Sequence, residues 1–408
     1  MVLLVHPFGN ANVRAVLQAL DEDQLLARFV TTLGWSKYSY PELSDHIRGK
    51  LRRNYALPAE RIDIHPSREV VRLLANTFGL QFLTRHEVGW ASIDRVWQEI
   101  DRKAACCLRK DAYGTDLHAV YAYEDCAVET FHVAHERGLR RVYDLPIAYW
   151  ETSRKLLLEE AERYPDWEPT LGATRDSSGK LERKTRELEL AELVICPSEF
   201  VRESLPATKR QSSIMVPFGS PAAETASRSN EGSDERPLRV LFAGTMSQRK
   251  GLADLFAAMK LLKSKSVELV VMGTLSRPLT WYRQFADFAY EPPRPHEEVL
   301  RLMKSCDLLV LPSIVEGRAL VQQEAMACGL PVIATKNAGA DDLIVDGETG
   351  FLVPIRSPQA IAEKIDWCAS NRARLSGMGI AAQTRAGDYT WAGYGQRIVA
   401  AVRELVHL

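Results

Sequence analysis

The chain has 408 residues, 46% of them apolar and 26% charged, enough for two domains of about 100–200 residues, each with its own core. That balance excludes a disordered chain, a collagen-like repeat and a small disulfide-stapled scaffold. With 52 Lys and Arg against 53 Asp and Glu the formal charge is −1, so no global field draws nucleic acid or an anionic membrane; a local patch stays open.

Short apolar strands alternate with amphipathic helical stretches, the pattern of βαβ units and parallel sheets. In the first half, strands are expected at Val2–His6, Phe29–Leu33, His118–Tyr123, Arg141–Leu145, Leu193–Cys196 and Ile214–Val216. After the first comes Gly9, then Asn12 as the expected N-cap of a helix carrying Val13, Val16, Leu17 and Leu20 on one face. One glycine after a strand is by itself a tight turn, and His6 reads as a satisfied structural histidine. Residues 48–53, RGKLRR, read either as a solvated helix face or as a cluster meeting anionic lipid headgroups. His118, His132 and His135 are scattered and form no metal set. Seven cysteines, without a C-x-x-C pair or zinc spacing, read as thiols of a reducing compartment. No leader-like start and no run of about 18 apolar residues is present. The expectation is a cytosolic protein, with peripheral contact at the inner membrane face left open.

Residues 220–237, SPAAETASRSNEGSDERP, have the composition of a linker. They divide a first domain, 1–219, from a second, 238–390, with 391–408 expected as a C-terminal helix packing back towards the first. In the second half, strands are expected at Arg239–Ala243, Glu268–Met272, Asp287–Tyr290, Leu308–Leu311, Pro331–Thr335 and Phe351–Val353. Trp281 and Tyr282 read as packing residues.

Two turns of the second half carry chemistry. In RVLFAGTMSQRKGLADLF, a strand leads through Gly244 and Thr245 to Arg249, Lys250 and Gly251, then a helix. This is either a solvated basic turn or a pair of cations beside a helix N-terminus that would neutralise a diphosphate. It lacks the spacing of a P-loop. In LLVLPSIVEGRALVQQEAMACGLPVIAT, Glu316 lies in a turn and Glu324 inside a helix expected from Ala319 to Cys328, closed by Gly329 and Pro331. A carboxylate on an apolar helix face needs a partner. That partner is either a neighbouring Arg or Lys, or the hydroxyls of a sugar nucleotide. Eight helical residues span about 12 Å, too far for a glycosidase pair.

Glu316 and Glu324 in this setting, followed by DGETGFLVP, resemble the signature of family 4 retaining glycosyltransferases. Lys250-Gly251 and the VPFG block at 216–219 fall where that family has its own. The resemblance implies an α/β GT-B fold, two doubly wound Rossmann-like domains facing across a cleft. It implies transfer of a hexose from a nucleoside diphosphate sugar to a hydroxyl of a glycan, glycolipid or small-molecule acceptor, as in cell-surface polysaccharide synthesis. Glu316 would contact the donor hexose and Glu324 the ribose. Backbone N–H groups of Gly317, Arg318, Ala319, Leu320 and Val321 would hold sugar and phosphate, and Lys250 the diphosphate. The Gly9 loop would close over donor and acceptor. Two positions depart from the family pattern. Thr245 stands where many members have Arg, leaving Arg249 as the second cation, and Asp144 stands in the strand where many have a reacting-site His. No cofactor, metal or nucleic acid is implied; the partners would be the donor and a glycan or lipid-linked acceptor. Rival readings are another GT-B enzyme, such as an epimerase or a phosphorylase, and a non-catalytic sugar-nucleotide-binding subunit.

Overall fold

The computed structural model describes residues 1–36, 53–114, 116–221 and 236–407. Two parallel sheets organise it. The first has seven strands: β1 (Val2–Val5), β2 (Leu26–Thr31), β3 (Ile62–Ile64), β4 (Ala119–Tyr123), β5 (Arg140–Asp144), β6 (Leu193–Cys196) and β7 (Ser213–Met215). Their spatial order is β3-β2-β1-β4-β5-β6-β7. The second has six: β8 (Leu238–Ala243), β9 (Val267–Met272), β10 (Ala289–Glu291), β11 (Leu308–Leu311), β12 (Val332–Thr335) and β13 (Gly350–Val353), in the order β10-β9-β8-β11-β12-β13. Strands such as VLLV and LLVL are buried at every position, because helices cover both faces of a parallel sheet. The domains are Rossmann-like, and in each the strand order reverses once, between β1 and β4 and between β8 and β11. Ligands of such sheets bind beyond the strand ends at this point.

The expected strands all form, with ends shifted by a few residues. Three-residue β3 was not anticipated, since IDI is too short to show alternation. Helix α1 (Ala11–Glu22) starts at Ala11 with Asn10 in the N-cap position, so Asn12 lies in its first turn and is not the cap. The other helices that matter are α2 (Ser67–Thr77), α3 (Gln81–Thr84), α4 (Ile93–Arg109), α5 (Trp150–Arg163), α6 (Ser178–Leu190), α7 (Leu252–Leu261), α8 (His296–Lys304), α9 (Leu320–Ala327) and α10 (Trp391–His407).

The domains interlock in both directions. Helix α10 lies on α1 and buries Tyr394, Ile398 and Val402 in the first domain's core, among Leu4, Phe29 and Tyr121. The chain passes between domains twice, side by side: Ser220 N–H donates to Tyr389 O at 2.8 Å, and Ser220 bridges to Thr390. Gly219 is glycine there because a Cβ would stand 2.3 Å from Trp391 N. Residues 222–235 of the polar stretch 220–237 lie outside the described residues. In the opposite direction, Trp167 of the first domain enters the second domain's core against Phe256, Trp281, Tyr282 and Phe285. Beside it, buried Glu160 of α5 accepts from Gln248 Nε2 at 2.6 Å and from Arg356, while Gln248 also reaches Asp254 at 2.8 Å. Trp281 and Tyr282 pack as expected, with the Tyr282 hydroxyl donating to Met246 O at 2.6 Å.

Candidate active site

The loops after β8 and β11 leave adjacent strands at the reversal of strand order, so they meet. Lys250 Nζ lies 2.6 Å from Glu316 Oε1. Arg249 Nη1 donates to the same oxygen at 2.6 Å and to Val315 O at 3.0 Å. Backbone fixes the pairing, since Ile314 N–H donates to Arg249 O at 2.9 Å. One carboxylate faces two cations, leaving a net positive charge in a cleft between domains. Burial lowers the Lys250 ammonium below its ordinary range, while Glu316 pulls it back up.

Glycines make this approach possible. Gly251 sits at φ 72° with Pro312 O only 2.0 Å from where a Cβ would stand, a left-handed position that also closes the tight turn into α7. Gly244 lies along the Lys250 side chain, its missing Cβ 3.5 Å from Lys250 Cε. Gly317 is buried at the domain boundary: its carbonyl accepts from Ser198 Oγ at 2.6 Å, and a Cβ would meet Pro146 O at 1.7 Å. Ala148 N–H points at Glu316 O, 3.4 Å away. Thr245 is exposed beyond Gly244.

Helix α9 begins at Leu320, so Glu316 precedes it and only Glu324 is helical. Leu320 and Val321 stand in the first turn, where N–H groups lack intrahelical acceptors. Ala319 differs from expectation: its N–H is taken by Ala338 O at 3.1 Å. The Arg318 side chain also turns away, fully buried against Asp342 at 2.6 Å. Among the described residues Glu324 is paired with neither Arg nor Lys; its neighbour is His296 at the start of α8, 3.7 Å away. Burial raises the Glu324 carboxyl above the usual range, with His296 opposing.

In the first domain, Gly9 packs on Tyr55, whose ring would be 2.7 Å from a Cβ. His6 is structural. Phe8 N–H donates to its Nδ1 at 2.9 Å, Trp97 and Tyr123 flank its ring, and burial lowers it to about 3. Asp144 is buried under tyrosines, accepting from Tyr121 at 2.7 Å and Tyr394 at 3.3 Å. Burial raises it to about 7. A cavity of about 460 Å³ adjoins Arg249 and Val315 and is walled by Glu124, Trp150, Arg154, Lys180 and Lys184. Lys184 meets Glu124 at 3.2 Å, and Lys180 bridges Asp94 and Asp176 at 2.9 and 3.0 Å. This wall was not legible in the sequence, because its charges, Glu124, Arg154 and the pair Lys180 and Lys184, come from three separate segments.

Residues 223–385 match the family model of glycosyl transferases group 1. The D-inositol 3-phosphate glycosyltransferase of Paenarthrobacter aurescens (strain TC1) is 30% identical over 198 residues, 46% of this chain and 48% of the relative. The chain spans about half the length of the curated relatives it matches. Among solved structures, sucrose-phosphate synthase from Thermosynechococcus elongatus superposes with a TM-score of 0.63 at 18% identity, covering 99% of this chain and 98% of that one. Anabaena HepE in complex with UDP-glucose gives 0.61 at 16% identity, covering 99% of both chains. The architecture is GT-B. The second half carries a glycosyl transferases group 1 domain.

Proposed function

We propose that this chain is a glycosyltransferase that moves a hexose from a nucleoside diphosphate sugar to an acceptor hydroxyl, with retention at the anomeric carbon. The observation that carries the reading is the single Glu316 carboxylate held between Lys250 and Arg249 at the strand-order reversal. Similar proteins support it: HepE is solved with UDP-glucose, and the P. aurescens relative is named for glycosyl transfer.

In this mechanism Lys250 and Arg249 stabilise the diphosphate as its charge develops, aided by the N-terminus of α9. Glu316 orients the hexose and Glu324 holds ribose hydroxyls. Gly244, Thr245 and the first-turn backbone of Leu320 and Val321 line the donor path. The loop 146–148 presses on Glu316 and Gly317 and excludes water. The acceptor enters the cavity beside Arg249. No step requires a metal ion. Residues 1–219 serve the acceptor, 238–390 the donor, 220–237 join them, and 391–408 tie the second unit to the first. The acceptor is a glycan or lipid-linked hydroxyl, met at the cytoplasmic face of a membrane.

Calorimetry with UDP, GDP, ADP and dTDP and their sugars identifies the donor. With that donor, Glu316→Gln is expected to lower kcat by about 100-fold or more in a protein that still folds and still binds the donor, read by circular dichroism and calorimetry. Near-normal turnover would overturn the assignment.

A further inference from the structure

Exposed apolar surface is concentrated in one place. Of the fifteen large apolar side chains exposed among the described residues, ten fall between Ile64 and Ile93. Helix α2 is built inside out: it buries Glu69 and Ala75 and exposes Val70, Leu73 and Leu74. Glu69 is clamped by Arg53 and by Arg72, the latter at 2.7 and 2.8 Å, so the helix docks through ions and presents its apolar face outward. Phe78 and Phe82 follow at 71% and 70% exposure, then Val88 at 69% and Trp90 at 49%. Isolated exposed apolar residues are ordinary on a soluble surface, whereas a contiguous set marks a docking face.

The charges of this segment sort by sign. Its acids turn inward: Glu69 and Asp94 are buried, and Glu87 is held by Ser177. The charged residues left exposed between 64 and 95 are Arg85, His86 and Arg95, and Arg68 lies over the Trp90 ring at 4.5 Å. Apolar and aromatic side chains rimmed by cations, without an exposed acid, complement the interface of an anionic bilayer. Among the described residues no helix is long and apolar enough to cross a membrane.

We propose that this face docks on a bilayer containing anionic phospholipid, with Phe78 and Phe82 among the acyl chains and Arg85 and Arg95 at the headgroups. His86 also lines the cavity beside Arg249, so docking brings the mouth of that cavity to the membrane and presents it to an acceptor carried on a lipid. This last step rests on the transfer reading; the docking does not.

The full chain is sedimented with vesicles of phosphatidylcholine, alone or mixed equally with phosphatidylglycerol. Wild type is expected to partition onto the mixed vesicles about tenfold more strongly than onto neutral ones. Phe78→Ser combined with Phe82→Ser is expected to lose about tenfold or more on both. Arg85→Gln with Arg95→Gln should reduce binding of mixed vesicles to the neutral level. Unchanged thermal midpoints and nucleotide titrations verify that both variants fold. Absent wild-type binding, or equal binding by the Phe variant, overturns the proposal. So does a wild-type dimer in sedimentation velocity that the Phe variant dissolves, which assigns the face to a second copy. Loss of nucleotide binding by wild type with vesicle binding intact would strike the transfer reading alone.

Discussion

At Gly251 a backbone carbonyl occupies the space that any side chain would need, and φ 72° adds its own penalty. Gly251→Ala is therefore expected to cost more than about 2 kcal/mol, read by denaturant titration, and to weaken donor binding by moving Lys250. Asp144 offers a test in pH. Its folded value of about 7 exceeds the ordinary 3.8, so the folded state holds the proton more tightly than the unfolded chain. The stability this contributes is complete below 3.8 and lost as pH rises through about 7. Asp144→Asn keeps a neutral group there, so its melting temperature relative to wild type should climb across that window. His6, lowered to about 3, acts in the opposite sense, costing stability as pH falls from 6.5. A flat difference between Asp144→Asn and wild type would contradict the buried neutral acid. That Lys250 and Glu316 would share a site was legible only through the family resemblance of their blocks, since from residue type and spacing alone the 249–250 turn read equally as a solvated basic turn; the structure brings the two together. The tyrosines around Asp144 were not legible, since Tyr394 lies at the far end of the chain.

At the scale of elements, the strands were legible because continuous apolar runs between turns suit sheets covered on both faces. Helix α9 was legible from its apolar spacing and from Gly329. What the pattern could not show is which neighbour each face meets. Helix α2 repeats its apolar residues like any core helix, yet its buried side is the one with Glu69, because Arg53 and Arg72 hold that acid inward. Likewise Glu160 in α5 looks like a surface residue in EEAER but lies fully buried against Gln248 and Arg356. Removing one member of a buried ionic network strands the others. Glu160→Ala is expected to cost about 3 kcal/mol in equilibrium unfolding; a change near zero would mean that water replaces the carboxylate.

For the whole molecule, each domain completes its core with a piece of the other's sequence half. Trp167, at 2% exposure, is the first domain's contribution to the second. Trp167→Ala removes an aromatic anchor for about 3–5 kcal/mol, and calorimetry should show the unfolding of the two domains separating into distinct transitions. A single transition at the wild-type temperature would mean that the tryptophan only fills space. The two-domain plan was readable from composition and the polar stretch alone. The α10 half of the interlock was readable too, since 391–408 was expected to pack back towards the first domain; the contacts of Trp167 and Glu160 were not, because they join side chains of separate sequence halves.

Two chain passages run between the domains side by side, tied at Ser220 and Tyr389 and pinched by Gly219 against Trp391. A joint of two adjacent, bonded strands folds like the spine of a book: it permits rotation about one line and resists sliding or shear. Admitting a bulky donor therefore calls for a swing about that spine, in which a residue's travel grows with its distance from the line; α9, which Gln323 ties to Phe218 and Ser220, stays near the axis.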